Sequence, residues 1–70
     1  MSTIRFFSVN PDGSRKREYG TATLGDDGKL GYANDVVRGI MAPMVARVGP
    51  VKAFAFYNPW SNGGVCSEPV

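Results

Sequence analysis

NDVVRGIMAPMVARV, residues 34–48, is the stretch whose reading decides the fold. Its large apolar residues are Val36, Val37, Ile40, Met41, Met44, Val45 and Val48. At roughly 100° per residue they fill one half of a helical wheel. Asp35, Arg38, Gly39, Ala42, Pro43, Ala46 and Arg47 fill the other half. No strand register separates the two sets, so the spacing predicts a helix. Asn34 suits the N-cap, Asp35 the positive end of the helix dipole and Arg47 the negative end. Gly49 followed by Pro50 is a stop signal.

Pro43 resists this pattern. It has no N–H for the carbonyl of Gly39, and its ring crowds that carbonyl, at a cost of about 3 kcal/mol in a straight helix. Gly39 adjusts more easily than any other residue would. The expectation is a kink between Gly39 and Pro43, or two short helices. The polar half carries only Asp35, Arg38 and Arg47 as charges. A membrane-surface helix would be rich in Lys and Arg there, so the apolar half is assigned to a core.

Seventy residues make one domain, and a chain this short buries only about 60% of its unfolded surface. It must use nearly every large apolar residue or borrow surface from a partner, so a homo-oligomer is one expectation. Apolar content of 43% and charged content of 20% argue for a folded chain. A net charge of +2 is too weak by itself to imply nucleic acid. There is no apolar run long enough for a transmembrane span, and Arg5 interrupts the only apolar segment near the N-terminus. Cys66 is the only cysteine, which rules out an internal disulfide and makes a cytoplasmic location the default.

Before the helix, Thr3–Val9 is β-branched and aromatic and reads as a strand, apolar on both faces and therefore central. Asn10-Pro-Asp-Gly-Ser14 is a turn, with proline presetting one dihedral. Arg15–Leu24 is a second strand, in which small Gly20 and Ala22 let the helix approach closely. Gly25-Asp-Asp-Gly28 is a second turn, and Lys29–Ala33 a short third strand with Leu30 and Tyr32 on one face. After the helix, the Phe54/Phe56 alternation in Val51–Tyr57 favours a strand, while Gly49-Pro50 equally opens a short second helix. Asn58–Gly64 is turn chemistry around Trp60, and Val65–Val70 adds one short strand.

Catalytic chemistry is sparse. The chain has no histidine, so the commonest general base and metal ligand is missing and Cys66 has no partner to activate it. Asp26 and Asp27 sit in a glycine-flanked turn without the further oxygen ligands of a calcium loop. The glycines match no phosphate-binding fingerprint. The expectation is therefore not an enzyme, with no cofactor and no metal.

Two stretches carry binding chemistry. Phe54, Phe56, Tyr57 and Trp60 cluster near the C-terminus, and Tyr and Trp are enriched at binding hot spots. Phe54 and Phe56 are assigned to the core, and Tyr57, Trp60 and Asn62 to a protein contact. The basic run Arg15-Lys16-Arg17, with Tyr19, is the alternative site, suited to phosphates and base stacking. Alternate strand residues point to opposite faces, and Glu18 flanks the run, so a solvated hairpin edge explains it as well.

Gly28-Lys-Leu-Gly-Tyr32, Ala46-Arg-Val-Gly49 and Trp60-Ser-Asn-Gly63, spanning about the last 45 residues, resemble short uncharacterised proteins of actinobacteria and their phages. The Gly64-Val-Cys-Ser ending departs from their more apolar final strand. The resemblance implies a small cytosolic accessory protein, phage-borne or carried on a mobile element, with no activity attached. It favours a helix for Val51–Tyr57.

The sequence thus predicts an α+β, two-layer domain. A three-stranded antiparallel meander packs on one kinked helix over residues 34–48, with 51–57 as a fourth strand or short second helix. The expected function is a non-enzymatic module that binds and modulates a protein partner. The alternatives are a nucleic-acid-binding hairpin and a self-associating structural protein.

Overall fold

The computed structural model describes all 70 residues, Met1–Val70. The elements in chain order are β1 (Ser2–Val9), β2 (Arg15–Leu24), β3 (Leu30–Tyr32), α1 (Asp35–Val48), α2 (Pro50–Phe56), β4 (Trp60–Asn62) and β5 (Val65–Pro69). The strands form one antiparallel sheet in the order β3-β2-β1-β5-β4. The expected meander is therefore present as β1-β2-β3. The last hairpin, β4-β5, joins it on the other side of β1 and makes β1 the middle strand.

Both helices lie on one face of the sheet. Ile4 and Phe6 of β1, Ala22 of β2 and Val37 and Met41 of α1 are buried together, with Phe54 and Tyr57. The alternation in β1 explains its half of this core, because residues two apart share a face. The helix approaches β2 at Gly20, whose φ is +136° and whose missing Cβ would stand 3.1 Å from Val37 Cγ2. Beside it Tyr19 is the extra residue of a β-bulge, since Phe6 pairs with Gly20 but Phe7 with Glu18.

The caps of α1 are those the sequence predicts. Asn34 Oδ1 accepts from Val37 N at 3.0 Å, and the N–H of Gly49 returns to the Val45 carbonyl. Asn34 Nδ2 also donates to the Tyr19 carbonyl at 2.8 Å, which ties the cap to the bulge. The helix runs unbroken past Pro43, so it is not divided into two short helices. Of its apolar half, Val37 and Met41 are buried, Ile40, Met44 and Val45 half-buried, and Val36 and Val48 exposed.

Residues 51–57 correct the strand reading. Pro50 opens α2 at its first turn, and Ala53, Phe54 and Tyr57 turn inward. The spacing of one, three and four is that of a helix, and the Phe54/Phe56 alternation misleads because Phe56 faces out. Trp60–Asn62 is a strand and not a turn. It closes onto β5 through Gly63-Gly64, where Gly63 takes φ +63°, the positive first position of a two-residue hairpin loop. The C-terminus is tied down, with Val70 N donating to the Thr3 carbonyl at 3.0 Å.

Candidate functional site

Tyr57 follows α2 and drives its ring under the end of the sheet. The ring meets Phe6 edge-on at 5.5 Å, Phe56 at 5.1 Å and Trp60 at 4.8 Å between centroids. Its hydroxyl donates to the Ile40 carbonyl at 2.9 Å. Burial pushes the Tyr57 phenol above its usual value. The Tyr57 carbonyl accepts from the Ser67 hydroxyl, which locks the segment after α2 to β5. Tyr57, assigned to a protein contact from the sequence, is thus a core residue packed between its aromatic neighbours.

Those neighbours form an aromatic corner. Trp60 is half-buried and also meets Phe6, at 6.4 Å. Asn62 is exposed at the end of the same strand, and their positions share the helix-bearing face of the sheet. Phe56 stands on the other side of Tyr57 and is 48% exposed, which corrects its assignment to the core. Pro59 is exposed between them. No charged residue occurs between Lys52 and Glu68, so the segment that carries this corner brings no charge of its own in a chain that is 20% charged. That gap was readable in the sequence and is the signal that would have added Phe56 and Pro59 to the site.

The basic run is dispersed. Arg15 lies on the face of the sheet away from the helices, its guanidinium 4.2 Å from the Phe7 ring centroid and 2.6 Å from Glu68 Oε1. Arg5 stands next to it, 3.6 Å from the same carboxylate oxygen and 2.9 Å from Glu18 Oε1, the latter an ion pair without hydrogen-bond alignment. Arg17 pairs with Ser8, whose side chain lies on the helix side, and Lys16 is a bulged residue between them. Tyr19 packs against the core cluster. Arg15, Lys16, Arg17 and Tyr19 therefore do not share one surface, and Arg15 is already neutralised by Glu68.

An open cleft of about 440 Å³ separates the Asn10–Gly13 turn from the Gly63-Gly64 loop, and its lining carries no ionisable side chain. Asp12 beside it accepts from the Ser14 hydroxyl and backbone N–H, which holds its carboxyl below the usual value in a turn-stabilising role. No group of three or more potential metal ligands comes together, and no helix is long and apolar enough to cross a membrane. No protein family, curated protein or solved structure matches this chain.

Proposed function

We propose that the chain is a non-enzymatic interaction module. Its contact is the neutral aromatic corner of Trp60, Phe56 and Asn62, and its partner is an extended, uncharged peptide segment of another protein. The observation that carries this reading is the exposure of Phe56, across Tyr57 from Trp60, in a stretch of chain without charge. A 70-residue chain has few aromatics to spare, and a half-exposed one next to buried Tyr57 leaves apolar surface for a partner to cover. Aromatic edges suit an aliphatic or proline side chain, and the Asn62 amide offers a donor and an acceptor to a peptide backbone. Modulation of a partner by a phage or mobile-element accessory protein is the setting that fits the sequence resemblance.

The test is selection of a random peptide library on the immobilised protein, followed by affinity measurement. Enriched peptides carry an aliphatic or proline anchor, bind equally at low and high salt, and lose at least tenfold in affinity with Phe56→Ser and with Asn62→Ala. Failure to enrich any peptide, or binding indifferent to both changes, overturns the reading. A bound oligonucleotide whose affinity falls roughly 40-fold between 50 and 200 mM salt would instead show three neutralised phosphates and transfer the function to the basic hairpin.

A further inference from the structure

A five-stranded open sheet has two free edges, and here they differ. Hydrogen-bonding direction alternates along an antiparallel strand, so the known bonds fix which groups face outward. On the β3 side, Ala33 N donates to the Thr21 carbonyl and Gly25 N to the Lys29 carbonyl, both at 2.9 Å. With Thr23 opposite Gly31, the inward-bonded positions are therefore Lys29, Gly31 and Ala33. Leu30 and Tyr32 point their N–H and C=O groups away from the sheet. At the other edge, Val9 N bonds the Gly64 carbonyl and Val70 N the Thr3 carbonyl, which makes Cys66 face β1 and leaves Ser61 the outward residue of β4. One outward residue beside Pro59, which has no N–H, makes a blunted edge. The β3 edge offers two donors and two acceptors, with no proline, no bulge and no side chain at its centre.

We infer that the β3 edge pairs with the β3 edge of a second copy of this chain, around a two-fold axis at Gly31. The edge is self-complementary. With Gly31 opposite Gly31 of the second copy, Leu30 stands opposite Tyr32 and Tyr32 opposite Leu30, and four backbone hydrogen bonds close. Leu30 and Tyr32 both lie on the helix-bearing face, so each aliphatic side chain meets an aromatic one across the seam. Lys29 falls opposite Ala33, so no like charges meet directly. The seam is isologous and joins two five-stranded sheets into one.

The chain does not need this contact to fold. Its accessible surface of 4398 Å² is close to the roughly 4,200 Å² of a folded monomer of its mass. The contact is therefore an association of folded copies. It does not depend on the aromatic corner, which lies toward the opposite end of the strand order.

Gly31 gives the experiment. A Cβ there meets only the Thr23 carbonyl, at 4.0 Å, and its φ is not positive, so a side chain is tolerated in the monomer. Across the seam the same position faces itself. Sedimentation from about 50 μM to about 2 mM covers the range in which so short an edge associates. The wild-type mass is expected to rise from 7.5 kDa toward twice that value. Gly31→Lys is expected to hold the mass at 7.5 kDa throughout with unchanged circular dichroism, because two ammonium groups then meet at the axis. Gly31→Cys in a Cys66→Ser background is expected to trap a disulfide-linked dimer under mild oxidation. A wild-type protein that stays monomeric at the top of the range overturns the proposal and leaves the edge to a strand from another protein. A wild-type mass increase shared in full by Gly31→Lys overturns it in favour of another surface.

Discussion

Gly20 of β2 and Val37 of α1 set the distance between the sheet and the helix layer. A methyl on Gly20 would stand 3.1 Å from Val37 Cγ2 and 2.8 Å from Asn34 Nδ2. Neither neighbour can yield easily. Val37 is fully buried, and Asn34 caps the helix while donating to the Tyr19 carbonyl. Gly20→Ala is expected to lose about 2–4 kcal/mol, combining overpacking with a positive φ that L-residues avoid. Urea unfolding measures it. A loss below about 0.5 kcal/mol, the range of an indifferent surface site, would show that the helix layer floats more freely than this contact implies.

The opposite sign is expected at two exposed positions of the same helix. Pro43 and Gly39 are exposed, and nothing lies within 4 Å of the space a Gly39 Cβ would fill. Pro43→Ala restores the donor for the Gly39 carbonyl and removes the ring's crowding, for a gain of about 1–3 kcal/mol. Gly39→Ala adds about 0.5–1 kcal/mol through helix propensity. Denaturation midpoints of the two variants check this directly. If Pro43→Ala destabilises, the proline has a packing or binding role that its exposure conceals.

These glycines and the proline show what the sequence made legible. Where a local rule sufficed, bounds came out closely. Arg15–Leu24 matches β2 end for end, and Asn34 with Val48 brackets α1, because caps and periodicity act within a few residues. The β4-β5 hairpin was only half visible. Apart from Trp60 its residues are mostly small or polar, and its place beside β1 is decided by pairing Phe7 with Cys66, far apart in the chain. Phe56 was hidden for a related reason. Its type says core, but the helical turn that buries Phe54 and Tyr57 sends Phe56 outward. The basic run failed as a patch because the bulges at Lys16 and Tyr19 redirect side chains that simple alternation had already divided.

Trp60 and Phe56 flank Tyr57 but differ in what they support. Trp60 touches both Tyr57 and Phe6, whereas Phe56 touches Tyr57 from outside. Trp60→Ala is expected to cost about 2–3 kcal/mol, less than a fully buried aromatic because part of its surface stays wet. Phe56→Ser is expected to cost no more than about 1 kcal/mol, which is why it is the cleaner probe of binding. Equal costs in urea unfolding would place Phe56 in the core and remove it from the proposed contact.

Glu68 lies between two arginines on the face of the sheet that no helix covers. Its carboxylate lies 2.6 Å from Arg15 and 3.6 Å from Arg5. Exposed pairs contribute little singly, but Glu68→Ala leaves Arg15 without a carboxylate partner beside Arg5, whose charge only Glu18 then offsets. A loss of about 1 kcal/mol is expected in low salt, shrinking by more than half in 1 M salt, where the Debye length is about 3 Å. A loss that ignores salt would mean that Glu68 acts through the packing of its methylene groups.

Tyr57 ties stability to alkaline pH. Burial raises its folded-state pKa above the ordinary 10.0, so the fold favours the neutral phenol. The linked stability is fully present below pH 10 and is lost as pH rises through the folded-state pKa. The phenol also donates to the Ile40 carbonyl, and Tyr57→Phe removes that bond at a cost of about 1 kcal/mol near neutrality. The wild type is therefore expected to be the more stable protein at pH 7. Its advantage narrows above pH 10, because only the wild type must ionise a buried phenol there. Paired urea unfolding at pH 7 and at successive values above pH 10 follows the effect. A difference that stays constant across that range would show that Tyr57 reaches solvent before the chain unfolds.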